Sequence, residues 1–159
     1  MSDIISNPKL FVEQFNTSQT LSGLDFGDKT IGIAISDKTH TIATPVMTLK
    51  RKSIKKDIIE LKKIFTEYNV FGVVLGLPLS LNGKENERTK KVRVFANKIN
   101  ELANVKTTFY DERFSSDVVF KELRNNSLSI NKINKKINHL AASYILQGFL
   151  DSANINKQF

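Results

Sequence analysis

Apolar residues along this chain fall into runs of two kinds, and the order of the runs predicts the fold. Three short stretches, at about 20 to 26, 30 to 36 and 41 to 49, are parted by Gly27-Asp28-Lys29 and Lys38-Thr39-His40, which suit hairpin turns. They read as an antiparallel three-stranded meander. From Ser53, a residue fit to cap a helix, the period changes: Ile54, Ile58, Leu61 and Phe65 recur at helical spacing, while Lys52, Lys56 and Lys63 line another face with Lys55 and Lys62 beside them. Phe71-Gly-Val-Val-Leu-Gly76 is wholly apolar, as buried parallel strands are, and Leu77 to Gly83 is the loop after it. A second helix follows, with Val92, Phe95, Ala96, Ile99 and Leu102 facing inward and Arg88, Lys91 and Lys98 outside.

Val105 to Tyr110 supplies a fifth strand, and a helical pattern then runs to about Arg124. The polar stretch Asn125 to Asn134 is expected to be mobile, and a last helix, about Lys135 to Ala153, buries Ile137, Leu140, Ala141, Tyr144, Ile145 and Gly148. Residues 1 to 19 show no sustained period and read as an N-terminal extension with a short helix at Pro8 to Phe15; the domain spans 20 to 153 and a tail 154 to 159. Hairpin strands followed by alternating helices and strands make an α/β fold, a mixed five-stranded sheet covered on both faces, with right-handed crossovers in its second half.

Composition narrows the chemistry. A chain of 159 residues that is 40% hydrophobic suits one domain with a complete core. No apolar run approaches the length that crosses a bilayer, and Met1-Ser-Asp-Ile-Ile-Ser lacks the blocks of a secretion signal, so a soluble, cytoplasmic protein without membrane contact is expected. The absence of cysteine excludes disulfides and thiolate chemistry, and two histidines, His40 in a turn and His139 on a helix face, leave little room for imidazole sites. Any metal would be held by oxygen.

The net charge of +8 is segregated: seven basic and two acidic residues between 50 and 63, six and two between 84 and 98, and three and none between 131 and 139. The rest of the chain is net acidic. Such a surface fits a polyanionic ligand, nucleic acid above all, although a solvated lysine-rich surface would look the same.

Asp25 stands in Leu24-Asp-Phe-Gly27, at the end of an apolar strand where an unpaired charge is costly. Asp111-Glu112-Arg113 closes the fifth strand in the same manner. Two acidic strand ends suggest a shared Mg²⁺ or Mn²⁺, bound through carboxylates and substrate phosphate at the carboxyl edge of the sheet. Asp25, Asp111 and Glu112 are the candidate ligands. Successive residues on a strand face opposite ways, so only one of Asp111 and Glu112 faces Asp25 if the strand stays regular, and both do if the chain turns at Glu112. Arg113 is a candidate phosphate clamp, with a salt bridge to Glu112 as the alternative. Lys29, Ser36-Asp37, Ser80 and Ser115-Ser116 are further candidates to line the cleft, each with an ordinary turn or capping role beside it. Arg88 and Lys91, with the lysines of the first helix, would hold a nucleic-acid backbone.

Five motifs in order, Leu24-Asp-Phe-Gly-Asp-Lys-Thr-Ile-Gly-Ile-Ala-Ile-Ser-Asp37, Val73-Val-Leu-Gly-Leu-Pro-Leu-Ser-Leu-Asn-Gly83, Val92-Arg-Val-Phe-Ala96, Tyr110-Asp-Glu-Arg-Phe-Ser-Ser116 and Ala141-Ala-Ser-Tyr-Ile-Leu-Gln-Gly-Phe-Leu-Asp151, closely resemble the YqgF (RuvX) family across residues 20 to 152. The resemblance implies an RNase H-like fold and a nuclease, described as a Holliday-junction-resolvase homologue and, in bacteria, as acting on the 5′ end of the small-subunit ribosomal RNA precursor. By position Asp25 matches the family's first-strand catalytic aspartate and Asp111-Glu112-Arg113 its acidic tripeptide. The family usually places an aspartate three residues before the Ala-Ala pair; here that position is Asn138, which offers a carbonyl oxygen without charge. Asp28 and Thr30 also depart from the pattern. Asn138 has a plainer reading as the N-cap of the last helix.

These residues point first to a metal-dependent phosphodiesterase on structured RNA or branched DNA, monomeric or dimeric, with pre-ribosomal particles as a further expected partner. A binding module with little hydrolysis, weakened by Asn138, is the second reading. An actin-like phosphotransferase, suggested by Asp-x-Gly before a hairpin, needs two related domains for which the chain is too short.

Overall fold

The structure, a computed structural model, describes residues 7–112 and 130–154, with only the helical backbone for 130–139. Five strands form one sheet in the order β3-β2-β1-β4-β5, where β1 is Thr20–Phe26, β2 Thr30–Ser36, β3 Ala43–Lys50, β4 Val70–Leu77 and β5 Lys106–Asp111. β1 to β3 are the antiparallel meander, and β4 and β5 add to β1 in parallel. The central strand β1 is covered on both faces, so every residue from Thr20 to Leu24 is buried, the polar Thr20 and Ser22 included.

Helices α2 (Ile54–Glu67) and α3 (Glu87–Ala103) cover one face, burying Ile58, Leu61, Phe65, Val92, Phe95 and Ile99 against Leu24, Ile33 and Leu75. Ser53 caps α2 by accepting from the Lys56 N–H at 3.2 Å. Asn86 and Thr89 cap α3 reciprocally, each side chain accepting the other's backbone N–H at 3.0 and 2.8 Å. That box fixes where the first turn of α3, with Arg88, begins.

The opposite face is covered by α1 (Pro8–Val12) and α4 (Ile130–Asn154). Phe11, within the expected N-terminal extension, is fully buried and meets Phe149 edge-on at 5.7 Å, so α1 belongs to the core. Here α4 approaches the sheet closely: a Cβ on Gly23 would lie 2.7 Å from the Ala142 carbonyl oxygen. α4 begins at Ile130, earlier than the Lys135 expected from periodicity. Asn138 therefore lies inside the helix and does not cap it. The helical pattern expected from 113 to 124 lies outside the described residues, as do residues 125 to 129 of the stretch expected to be mobile. Among the described residues no helix is long and apolar enough to cross a membrane.

Candidate active site

Strand register brings the two acidic strand ends together. Leu24 of β1 pairs with Leu75 of β4, so Asp25, one step on, comes level with Gly76. On the other side of β4, Gly76 pairs with Tyr110 and Leu77 with Asp111. Leu21 and Gly23 face α4, and alternation gives Asp25 the same face. Tyr110 packs on that face too, so Glu112 joins Asp25 there, while Asp111 belongs with Phe109 on the face of α2 and α3. The strand stays regular at this point, with the Glu112 N–H donating to the Leu77 carbonyl at 3.2 Å.

Gly76 makes the room. A Cβ there would run into the Glu112 carboxylate and come within 2.5 Å of Ile145 Cδ1. The carboxylate thus lies across β4 at a position lacking a side chain, with Asp25 level with it on the next strand. A glycine inside an otherwise apolar strand marks such a close approach, and this was the available sequence signal.

The electrostatics agree with this proximity. Burial raises the Asp25 carboxyl above its ordinary value, and the Arg88 guanidinium pulls part of that back. Glu112 is pushed up to about 7, chiefly by burial and then by the charge of Asp25; Arg88 opposes the rise and Asp111 adds to it. Arg88, exposed on the first turn of α3, therefore acts on both acids. Two partly buried carboxylates that resist ionising together are stabilised by a cation between them, and their hard oxygen donors suit a divalent ion that also keeps waters and phosphate as ligands. Among the described residues no third Asp, Glu or His completes a cluster, so further ligands would have to be water, substrate or groups outside that set.

The other expected residues fall in different places. Lys29 is exposed in the turn after β1. Lys91 lines a cleft on the far face, beside Phe26 and Arg51, with Asp28. Ser36 and Asp37 are at the opposite end of the sheet: Ser36 Oγ accepts from the Leu21 N–H at 2.9 Å, and Asp37 Oδ1 accepts from Thr41 and Ile42 N–H at 2.8 and 3.0 Å. Neither can line the carboxyl edge. Ser80 accepts from Asn86 Nδ2 at 3.1 Å within the β4–α3 loop. Arg113, Ser115 and Ser116 lie outside the described residues. Asn138 stands one helical turn before Ala142, about 6 Å along the axis.

Sequence reasoning passed over one supporting contact. Buried Asp57 accepts from the Lys52 N–H at 2.9 Å and from Arg51 Nε at 3.3 Å, and Arg51 Nη1 donates to the Gly27 carbonyl at 3.2 Å. The start of α2 is thereby tied to the turn directly after Asp25.

Residues 19–152 match the family model described as RuvX: Holliday junction resolvase. The chain belongs to the RuvX family. RuvX relatives named "Putative pre-16S rRNA nuclease" include one from Ruegeria pomeroyi, 40% identical over 88% of this chain and 94% of its own, and one from Clostridium botulinum, 42% identical over 82% and 95%. Among solved structures, Thermus thermophilus RuvC in complex with a Holliday junction substrate superposes with a TM-score of 0.53 at 11% identity, covering 87% of this chain and 96% of that one. The sheet and helices thus have the RNase H-like fold of the resolvases, and the family assignment makes this RuvX chain a hydrolase of the nuclease type.

Proposed function

We propose that this chain is a divalent-metal-dependent endonuclease for structured nucleic acid, acting in the cytoplasm on the 5′ end of the small-subunit ribosomal RNA precursor, free or in pre-ribosomal particles. The observation that carries the chemistry is the pairing of Asp25 and Glu112 across Gly76, with Arg88 acting on both. The names of the relatives support the choice of RNA. Asp25 and Glu112 would hold Mg²⁺ or Mn²⁺, which when bound supplies Lewis-acid stabilisation of the phosphate and a more acidic water. The protein's own groups do the rest. Their burial limits competing water, and Arg88 meets the charge of the phosphate oxygens. Hydrolysis joins a water oxygen to phosphorus and breaks the bridging P–O bond, and the leaving oxygen takes up a proton.

Asp25→Asn tests this reading. Cleavage of a structured precursor RNA in Mn²⁺ should fall by at least about a hundredfold, with the melting transition preserved. Cleavage at the parent rate by a preparation free of contaminating nuclease would refute it.

Asn138, standing where the family usually has an aspartate, supports a second reading in which binding outweighs cleavage. Asn138→Asp decides between them: a rise in metal-dependent cleavage favours a weakened nuclease, and unchanged inactivity with retained RNA affinity favours a binding module.

A further inference from the structure

On the face of the sheet away from Glu112, a cleft of about 420 Å³ opens at the end of β1, lined by Phe26, Arg51, Ile54, Lys91 and Val94 among others. Phe26 follows Asp25 directly, so alternation turns its ring from the carboxylates into this cleft. The ring is held by two neighbours: it stacks on Phe95 with centroids 4.0 Å apart and planes at 19°, and the Arg51 guanidinium lies 4.3 Å from its centroid. Arg51 is in turn held by Asp57 and the Gly27 carbonyl, which use only part of its N–H fork. Val94, 52% exposed, continues the apolar floor.

Charge on the rim is mixed but basic in balance. Arg51, Lys90 and Lys91 face Asp28 and Glu87, and Glu87 is itself paired with Lys90 at 3.3 Å. Lys52, Lys55 and Lys56 are exposed at the adjoining end of α2. An apolar floor under a basic rim matches a nucleotide, whose base covers carbon while its phosphate meets cations. The first turns of α3 link the two faces, because Arg88 acts on the carboxylates while Lys91 and Val94 line the cleft.

We propose that this cleft is a subsite for one nucleotide of the substrate strand, flanking the bond cut at Asp25 and Glu112. The proposal rests on the nuclease reading and predicts that a base is needed for tight binding, whatever its identity.

The test uses the full chain carrying Asp25→Asn and labelled single strands of roughly a dozen nucleotides, as RNA and as DNA, each intact or with its bases removed. Anisotropy should show the intact strand binding about tenfold tighter than the baseless strand of equal charge, and a further Val94→Asp change should bring that ratio close to one. The stronger ratio, with RNA or with DNA, names the strand the cleft accepts. The chain has no tryptophan, so Val94→Trp adds a single reporter whose emission an intact strand should quench saturably and a baseless strand should not. Equal affinity for both strands, or a ratio that survives Val94→Asp with no quenching, would overturn the subsite. So would a dimer, seen by sedimentation, that Val94→Asp dissociates without changing nucleotide binding, since the cleft would then hold a second copy. Failure of the nuclease reading shows separately, as cleavage by the parent that Asp25→Asn leaves intact.

Discussion

At the scale of single residues, the site depends on a glycine as much as on the acids. Gly76→Ala would drive a methyl group into the Glu112 carboxylate and Ile145, so Glu112 must move off β4. The expected result is a loss of about 1–3 kcal/mol in urea unfolding together with loss of metal-dependent cleavage. A variant as stable and active as the parent would remove the cradle from the account. Glu112 also sets a pH dependence. Its ordinary value of 4.5 rises to about 7 in the fold, so the fold favours the neutral acid. The stability it contributes is fully present below about 4.5 and is lost as pH rises through about 7. In chelator, the melting temperature of the parent should therefore fall relative to Glu112→Gln between pH 5 and 8. A constant difference between the two would show that Glu112 is not buried beside Asp25. The sequence exposed both acids, because a carboxylate ending an apolar run is conspicuous. It left Asp111 and Glu112 undivided, because strand alternation assigns faces only once a neighbouring strand supplies the register.

At the scale of elements, the close approach of α4 to β1 and the tie between α2 and the first turn are what hold Asp25 in place. Gly23 permits the first, since a Cβ would sit 2.6 Å from Leu146 Cβ and 2.7 Å from a backbone oxygen that cannot swing aside. Gly23→Ala should cost roughly 1–3 kcal/mol or more in urea unfolding, and a neutral result would mean that α4 packs farther from the sheet. Asp57→Ala would leave the Lys52 N–H and Arg51 without their buried acceptor, with an expected loss of about 1–3 kcal/mol. Cleavage should weaken as the Gly27 turn loosens, and an unchanged cleavage rate would show that this tie does not position Asp25. The strands, α2 and α3 were legible from period and caps, Ser53 being the plainest. The early start of α4 was not, because its first turns are mostly Asn and Lys, and the place of α1 in the core was not, because five residues are too few to show a period.

At the scale of the whole molecule, the fold carries the chemistry through topology. Inserting β1 between β2 and β4 places an acid from residue 25 beside one from residue 112, with the strand between them made passable by Gly76. The five-stranded α/β arrangement was readable from the alternation of runs, and the family from five motifs in order. The Arg51–Asp57 tie and the cleft beside Phe26 were not, because they join segments whose nearness only the folded sheet creates. Diffraction from crystals soaked in Mn²⁺, with the ion located by its anomalous signal, tests the central claim most directly. The account predicts one ion coordinated by an oxygen of Asp25 and an oxygen of Glu112, next to Gly76. Manganese bound elsewhere, with those two carboxylates left uncoordinated, would contradict it.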